Sequence, residues 1–377
     1  MTQGAGAPLR ALVVLTQPPL PEGGAPGKTA VGLLRGLREH GVEVRGIAAR
    51  RPSSVTGEVP ADLPVEVVDV EPPGPSRARL QRVRRPLGEL SCAFAARVRE
   101  AAADADLVHL EETETVWCGE GITAPSLVHL HYLARSDRPF GAPWRRQFRE
   151  VLDATRAERA ALRHRHLVAS SPLVVAALRR AAPGAEVVLA PLSLDPALYR
   201  PAPLDGPPTA GLIGTAAWPP TAAAIDVLVE DVWPRVTALA PEASLALAGR
   251  GTERFGFAGE VDSARDFFHG LSLLLFPLPR GSGMKVKVLE ALASGVPVVT
   301  TPAGAEGIEP SDGVVVLEEP QALAAAAAEL LVDEAARKER GAAARADFER
   351  RFAPGPATEP LAELYRRLAS TRNARRS

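Results

Sequence analysis

The sequence predicts an α/β protein built of two Rossmann-like domains that face a central cleft. Three observations predict it. Short apolar runs alternate with helix-period segments along the whole chain, as parallel sheets with crossover helices require. The alternation is interrupted once, by a proline-rich stretch near the middle, and then restarts. The length, 377 residues, suits two domains of ordinary size.

Arg10–Thr16 (RALVVLT) reads as a buried strand. The loop QPPLPEGGAPG leads into a helix over Thr29–Glu39, where Val31, Leu33, Leu34 and Leu37 supply an apolar face and Gly41 a left-handed cap. Strands follow at Val42–Ala48 and Val65–Val70, then a connection over 71–86 and a helix over 87–103. Strands at Leu107–Leu110 and Ser126–His131, a long helical segment over 143–164, a strand at Leu167–Ser170, a helix at Pro172–Arg180 and a strand at Glu186–Ala190 complete the first array. Ser193–Pro208 holds five prolines in sixteen residues without apolar periodicity. The second array runs through strand Thr209–Ile213, a helix over 219–239, strand Ser244–Ala248, a short strand at 255–257 and a helix over 262–269. Strand Ser272–Pro277, helix Met284–Ser294, strands Pro297–Thr300 and Gly313–Leu317, helices from 320 to 350 and a last helix at Glu359–Ala369 end it. The expected domains are therefore 1–193, a linker 194–208, a second domain 209–356, and 357–377 as a helix crossing back to the first domain.

Composition removes several function classes. With 44 Lys+Arg against 45 Asp+Glu, a nucleic acid or other strongly charged polymer is not an expected partner. Cys92 and Cys118 are the only cysteines, which excludes a disulfide framework and a cysteine-based zinc site. The purely apolar stretches stay under ten residues, against the ~20 that span a bilayer. The first residues show no signal-peptide pattern, so a cytoplasmic protein is expected. Only four of the basic residues are lysines, at 28, 285, 287 and 338, so two of them set two apart stand out.

Those two lie in Leu273–Gly307, the most informative stretch. An apolar strand ends in a loop with Gly281, Ser282 and Gly283, and a helix begins there. Small residues let backbone N–H groups approach a ligand, and a helix start favours negative charge. Lys285 and Lys287 sit where a cation is unfavourable to the helix unless an anion binds. Glu290, about two turns in, can accept from vicinal hydroxyls such as those of a ribose. Diphosphate at the front and sugar deeper is the layout of a nucleotide diphosphate; the plain alternative is an ordinary turn with surface lysines. A second segment, EGGAPGKT at 22–29, nearly spells a P-loop. Glu22 takes its first glycine position and Pro26 removes one backbone donor, so a P-loop NTPase is a remote alternative. No GxGxxG occurs.

Several motifs together resemble the retaining glycosyltransferases of family 4, which have the GT-B fold. PPLPEGG with HGVEVRGIAA is similar to the family's opening strand and glycine loop, and PLSLDPALYRP to its linker entrance. GLIGTAAWPPTAAAIDVLVEDVWPRV resembles the first βαβ unit of the donor domain. GSGMKVKVLEALASGVPVVTTPAGAEG resembles its signature, in the branch written GSG-x-KxLEA.

The resemblance implies roles. Glu290 matches the second Glu of the family's Glu-x7-Glu pair, which binds the donor ribose; Ser282 stands at the first position. Lys287 and Lys285 would neutralise the diphosphate, the more so because the usual Arg and Lys are missing from GTAAWPP. Gly214, Thr215, Gly249, Arg250, Gly281, Gly283 and Met284 would line the donor site, and Gly23 and Gly24 would present backbone amides to the diphosphate. His131 would lie near the reacting sugar. Plainer readings stand beside these: a structural His131, a solvent-facing Arg250, and a solvated loop for Glu111, Glu112 and Glu114 rather than a metal cluster. The implied function is transfer of a hexosyl-type sugar, UDP-linked as a first guess, to a hydroxyl acceptor with retention. No metal and no cofactor are expected. The alternative is a non-catalytic nucleotide-sugar binder. Arg77, Arg79, Arg82, Arg84 and Arg85 offer either peripheral contact with the inner membrane face or a solvated helix face.

Overall fold

The computed structural model describes residues 8–52, 54, 56–71, 92–137, 146–257 and 259–376. The chain divides into two units. Unit 1 comprises Met1–Arg135, Pro139–Ser193 and Pro354–Ser377, and unit 2 comprises Ser136–Arg138 and Leu194–Ala353.

Unit 1 is built on a parallel sheet of seven strands: β1 (Arg10–Leu15), β2 (Glu43–Arg50), β3 (Val65–Asp69), β4 (Leu107–Glu111), β5 (Ser126–Leu130), β6 (His166–Ala169) and β7 (Glu186–Leu189). Their order is β3-β2-β1-β4-β5-β6-β7. Strand β1 reads as an unbroken apolar run, as a strand buried on both faces does; Ala11 to Leu15 are all buried. The longer helices are α1 (Ala25–Glu39), α2 (Cys92–Ala102), α3 (Arg146–Ala161) and α4 (Pro172–Ala181). Helix α1 stops at Gly41 (φ 77°), whose N–H donates to Arg38 O at 2.9 Å while Val42 N reaches Leu37 O at 3.1 Å. At the start of α4, the Ser171 hydroxyl accepts from Val174 N.

Unit 2 holds five parallel strands, β8 (Thr209–Ile213), β9 (Ser244–Ala248), β10 (Leu273–Phe276), β11 (Val298–Thr300) and β12 (Val314–Val316), in the order β12-β11-β10-β8-β9. Its helices are α5 (Pro219–Val227), α6 (Trp233–Leu239), α7 (Ala264–His269), α8 (Val286–Ala293), α9 (Pro320–Val332) and α10 (Glu334–Arg351). The last helix, α11 (Pro354–Arg376), is grouped with unit 1. Each sheet has one point where neighbouring strands feed connections in opposite directions, β1/β4 in unit 1 and β8/β10 in unit 2. In open α/β sheets, ligands bind outside the carboxyl ends of the strands at that switch point.

Three expectations need correction. No strand forms at 255–257: Gly251 (φ 88°) and Gly256 (φ 84°) bracket a 3-10 turn over Thr252–Phe255, and two left-handed residues so close prevent extension. The single helix expected over 219–239 is interrupted by a π turn at Leu228–Val232. Pro234 lacks an N–H and its ring crowds the carbonyl four residues back, so the ladder widens ahead of it. Helix α11 starts at Pro354 rather than Glu359: Pro354 and Pro356 fall in a first turn whose N–H groups have no intrahelical partner, and Pro360 is carried inside the helix. The arginines at 77–85 lie outside the described residues.

Helix α11 packs so closely on α1 that a Cβ on Gly36 would collide with Pro354 O and Thr358 Oγ1. Gly36→Ala should therefore lower stability by about 1–3 kcal/mol. Gly184→Ala, where nothing lies within 4 Å, should stay within about 0.5 kcal/mol of wild type. Urea midpoints of the two variants give the comparison; equal midpoints would contradict the close packing.

Candidate functional site

In unit 2 the predicted residues gather at the carboxyl edge of the sheet, around the β8/β10 switch point. Strand β10 ends at Phe276, and the carbonyls just beyond it are met by hydroxyls: Thr300 Oγ1 donates to Phe276 O at 2.6 Å and Thr301 Oγ1 to Leu278 O. The chain then turns through Gly281–Met284, with Gly283 at φ 72°, and α8 begins with Lys285 as its N-cap.

Lys287 projects from the first turn of α8 toward the end of β8. Its Nζ donates to Thr221 Oγ1 at 3.2 Å and lies 4.6 Å from the centre of the Phe276 ring. It sits so near Gly214 that a Cβ there would be 2.7 Å from Nζ. Burial, then the charge of Lys285, pushes its pKa down to about 8. Lys285 donates to Ser282 O at 3.0 Å and to Gly283 O, its stem lying over Gly281. Burial lowers it to about 8 as well, against the opposing charges of Asp137 and Glu306. Among the described residues, neither lysine has a carboxylate in ion-pair contact.

Glu290 is 5% exposed on the inner face of α8, and its Oε1 accepts from the Tyr199 hydroxyl at 3.2 Å. Burial and that carboxylate raise the Tyr199 pKa, so the hydroxyl stays a donor. Ser282 is buried, and its N–H and hydroxyl both donate to Asp137 Oδ1, at 2.6 and 2.7 Å. A carboxylate thus takes two donors that an anionic ligand would use. Met284 is buried beneath the turn. Gly214 and Gly249 touch, since Gly249 lies at φ 114° and a Cβ on it would overlap Gly214 O. Thr215 is exposed beside them. Arg250 pairs with Glu260 at 3.1 Å with side chains 75% and 65% exposed, so it faces solvent.

In unit 1 the loop after β1 forms a turn, with Gly23 N donating to Leu20 O at 3.0 Å; one of the two amides expected to face a diphosphate is used within the loop. Gly24 is exposed and caps α1, which starts three residues before Lys28, unlike a P-loop helix that begins at its lysine. His131 follows β5; its Nε2 is 2.7 Å from Glu111 Oε1 and its Nδ1 2.6 Å from Ser170 Oγ.

Glu111 and Glu112 correct the reading of LEETET as a solvated loop. Glu111 ends β4 at 6% exposure, facing three histidines: His109, His129 and His131. Alternation explains the gathering, because residues two apart on a strand share a face, and β4 and β5 pair with Glu111 opposite His129. Polar residues in otherwise apolar strands (LVHLE, SLVHLH) were the available signal. Burial alone would raise the Glu111 pKa, but the surrounding histidines hold it well below the usual carboxylate range. His129 is itself pushed down to about 4 by burial. It is therefore neutral near pH 7, while Glu111 raises the pKa of His131 against the effect of its own burial.

Glu112 has φ 64°, a sparsely populated conformation for a residue with a side chain, and its Oε2 accepts from Thr16 Oγ1 at 2.8 Å. Thr16 follows β1 and Glu112 follows β4, so this bond marks the unit 1 switch point. Burial, then the Glu114 charge, pushes Glu112 up to about 7. It shares a small hollow with His131, Tyr132 and Glu158.

Residues 207–333 match the family model described as glycosyl transferases group 1. A comparison with curated proteins gives no match. Among solved structures, the chain is similar to the sucrose-phosphate synthase of Thermosynechococcus elongatus, with 18% identity, a TM-score of 0.71 and coverage of 96% of this chain and 100% of that one. It is similar to HepE of Anabaena in complex with UDP and glucose, with 18% identity, a TM-score of 0.65 and coverage of 95% and 100%. It is also similar to the α,α-trehalose 6-phosphate synthase of Burkholderia multivorans, with 15% identity, a TM-score of 0.62 and coverage of 98% and 99%. The fold is that of the GT-B glycosyltransferases. Among the described residues, no helix is long and apolar enough to cross a membrane.

Tyr199→Phe removes a donor from the buried Glu290 carboxylate and should cost about 2 kcal/mol of stability. Chemical denaturation of the variant checks this, and a change under about 0.5 kcal/mol would show that the bond is not formed.

Proposed function

We propose that the chain is a retaining glycosyltransferase that moves a hexosyl-type sugar from a nucleotide diphosphate sugar, with UDP-sugars first, to a hydroxyl acceptor in the cytoplasm. One observation carries the reading: two part-buried lysines stand at the start of α8, each with its pKa pushed down to about 8 and without a carboxylate ion-pair partner among the described residues. Holding Lys287 in that state costs on the order of 3 kcal/mol. A bound diphosphate offsets that cost, and no metal is needed for it. The match of residues 207–333 spans Gly214, both lysines and Glu290, and the HepE complex holds UDP and glucose.

In this mechanism Glu290, oriented by Tyr199, accepts from the ribose hydroxyls. Lys287 and Lys285 stabilise the negative charge that grows on the leaving diphosphate as the anomeric C–O bond breaks. No protein base is assigned; a donor phosphate oxygen takes the acceptor proton, as retention in the resembling family implies. Unit 1, with His131, Gly23 and Gly24 at its own carboxyl edge, is read as the acceptor-side unit. Ser282 at the place of the resembling family's first glutamate, and the lack of the usual Arg and Lys in GTAAWPP, favour a second reading, a protein that binds the nucleotide sugar without transferring it. Slow donor hydrolysis that vanishes in Lys287→Ala separates the first reading from the second.

Thermal melting with UDP, GDP, ADP, dTDP and CMP tests the donor site. A ligand at about 100 times its dissociation constant adds roughly 2.7 kcal/mol. One diphosphate should stabilise the wild type, and Glu290→Ala and Lys287→Ala should lose most of that shift. No shift with any of the five, or equal shifts in the variants, would remove the proposal.

The lysines also set a pH dependence. Each must be protonated to hold the anion and is lowered to about 8, so affinity should be level near pH 7 and fall as pH rises past about 8. The fall should approach tenfold per pH unit for each lysine that must take up a proton. Lys287→Arg should flatten the decline, because guanidinium keeps its charge. Calorimetric titrations from pH 7 to pH 10 would read it out; a flat wild-type profile would place the anion elsewhere.

A further inference from the structure

We propose that His109, Glu111 and His129 form a binding site for a divalent metal ion of the zinc class in the core of unit 1. This inference stands independently of the sugar-transfer reading. Their ligand atoms lie within 4.8 Å of one another, and the residues are 0%, 6% and 3% exposed.

Strand register brings them together. His109 and Glu111 are two apart on β4 and share a face, and the parallel pairing sets His129 of β5 beside Glu111. His109 Nε2 and His129 Nδ1 approach the same oxygen, Glu111 Oε2, at 2.7 and 3.3 Å. All three atoms nevertheless lack a hydrogen bond of acceptable geometry. A buried polar atom left so costs about 1–3 kcal/mol. The ring nitrogens come near the oxygen without being aimed at it. Ligands of one cation behave in this way, since their lone pairs meet at a point beside the neighbouring ligand rather than on it.

The remote atom of each side chain is already held. Tyr365 Oη of α11 lies 2.6 Å from His109 Nδ1, Ser170 Oγ lies 3.3 Å from His129 Nε2, and His131 Nε2 lies 2.7 Å from Glu111 Oε1. Oxygen partners on the far nitrogen of each imidazole, and a donor on the second carboxylate oxygen, are the outer contacts that orient metal ligands. Two imidazole nitrogens and one carboxylate oxygen suit Zn²⁺ and disfavour Ca²⁺ and Mg²⁺, which take mainly oxygen. With so little exposure, the ion would brace the meeting of β4, β5 and α11. Through Glu111 it would also set the hold on His131.

The test uses the full chain without tag histidines, stripped with a chelator and given Zn²⁺ alone. Close to one Zn²⁺ per chain should remain after gel filtration, and the melting temperature should rise. Glu111→Gln and His129→Gln should lose both effects, while Tyr365→Phe should weaken binding by about 10–100-fold. His166→Gln, at the separate His166–Glu186 pair, should bind like the wild type. Zinc below about a tenth of an equivalent, or full binding retained in both Gln variants, overturns the proposal. If those variants fail to fold, the Co²⁺ spectrum of the wild type decides. A strong visible spectrum of a four- or five-coordinate nitrogen–oxygen site supports the proposal; the weak aquo-ion spectrum, or a thiolate charge-transfer band, overturns it.

Discussion

The buried carboxylate of Glu111 is the constraint on which much of unit 1 depends. An ionised group at 6% exposure is tolerable only when the side chains around it supply charge or donors. His131 at the end of β5 meets one carboxylate oxygen directly, while His109 and His129 crowd the other without a formed hydrogen bond, and His109 reaches α11 through Tyr365. A sheet and a helix that would otherwise meet through apolar packing alone are given one defined alignment. A polar cluster of this kind specifies a core more narrowly than interchangeable hydrophobes do.

Both units concentrate their chemistry at the same topological position. At the β8/β10 switch point, glycines let the chain approach closely and α8 begins with two lysines its dipole disfavours. At the β1/β4 switch point, Thr16 and a backbone-strained Glu112 meet. In each unit a local rule is broken just past these strand ends. Such departures are expected where a protein trades stability for function.

Much of the architecture was legible because its signals are local. Strands β8 and β9 begin and end at the residues read from the sequence, Thr209–Ile213 and Ser244–Ala248, since apolar runs and turn residues punctuate them sharply. The π turn before Pro234 was hidden because periodicity does not register a single widened turn. The unit 2 residues were readable because the loop, both lysines and Glu290 fall within one short stretch. Tyr199 was not, being 91 residues from the carboxylate it serves. The histidine cluster was missed for the same reason: it exists only in the register of two strands, and a sequence shows His131 long before it shows what His131 touches.

The placement of α11 in unit 1 has a consequence for biosynthesis. Tyr365 meets His109 across 256 residues of chain, and all of unit 2 is translated between them. As the polypeptide leaves the ribosome, unit 2 can therefore reach its native packing while the α1 face of unit 1 still lacks α11. Until then the face of α1 that holds Gly36 awaits its cover, an interval in which a nascent-chain chaperone would find its target.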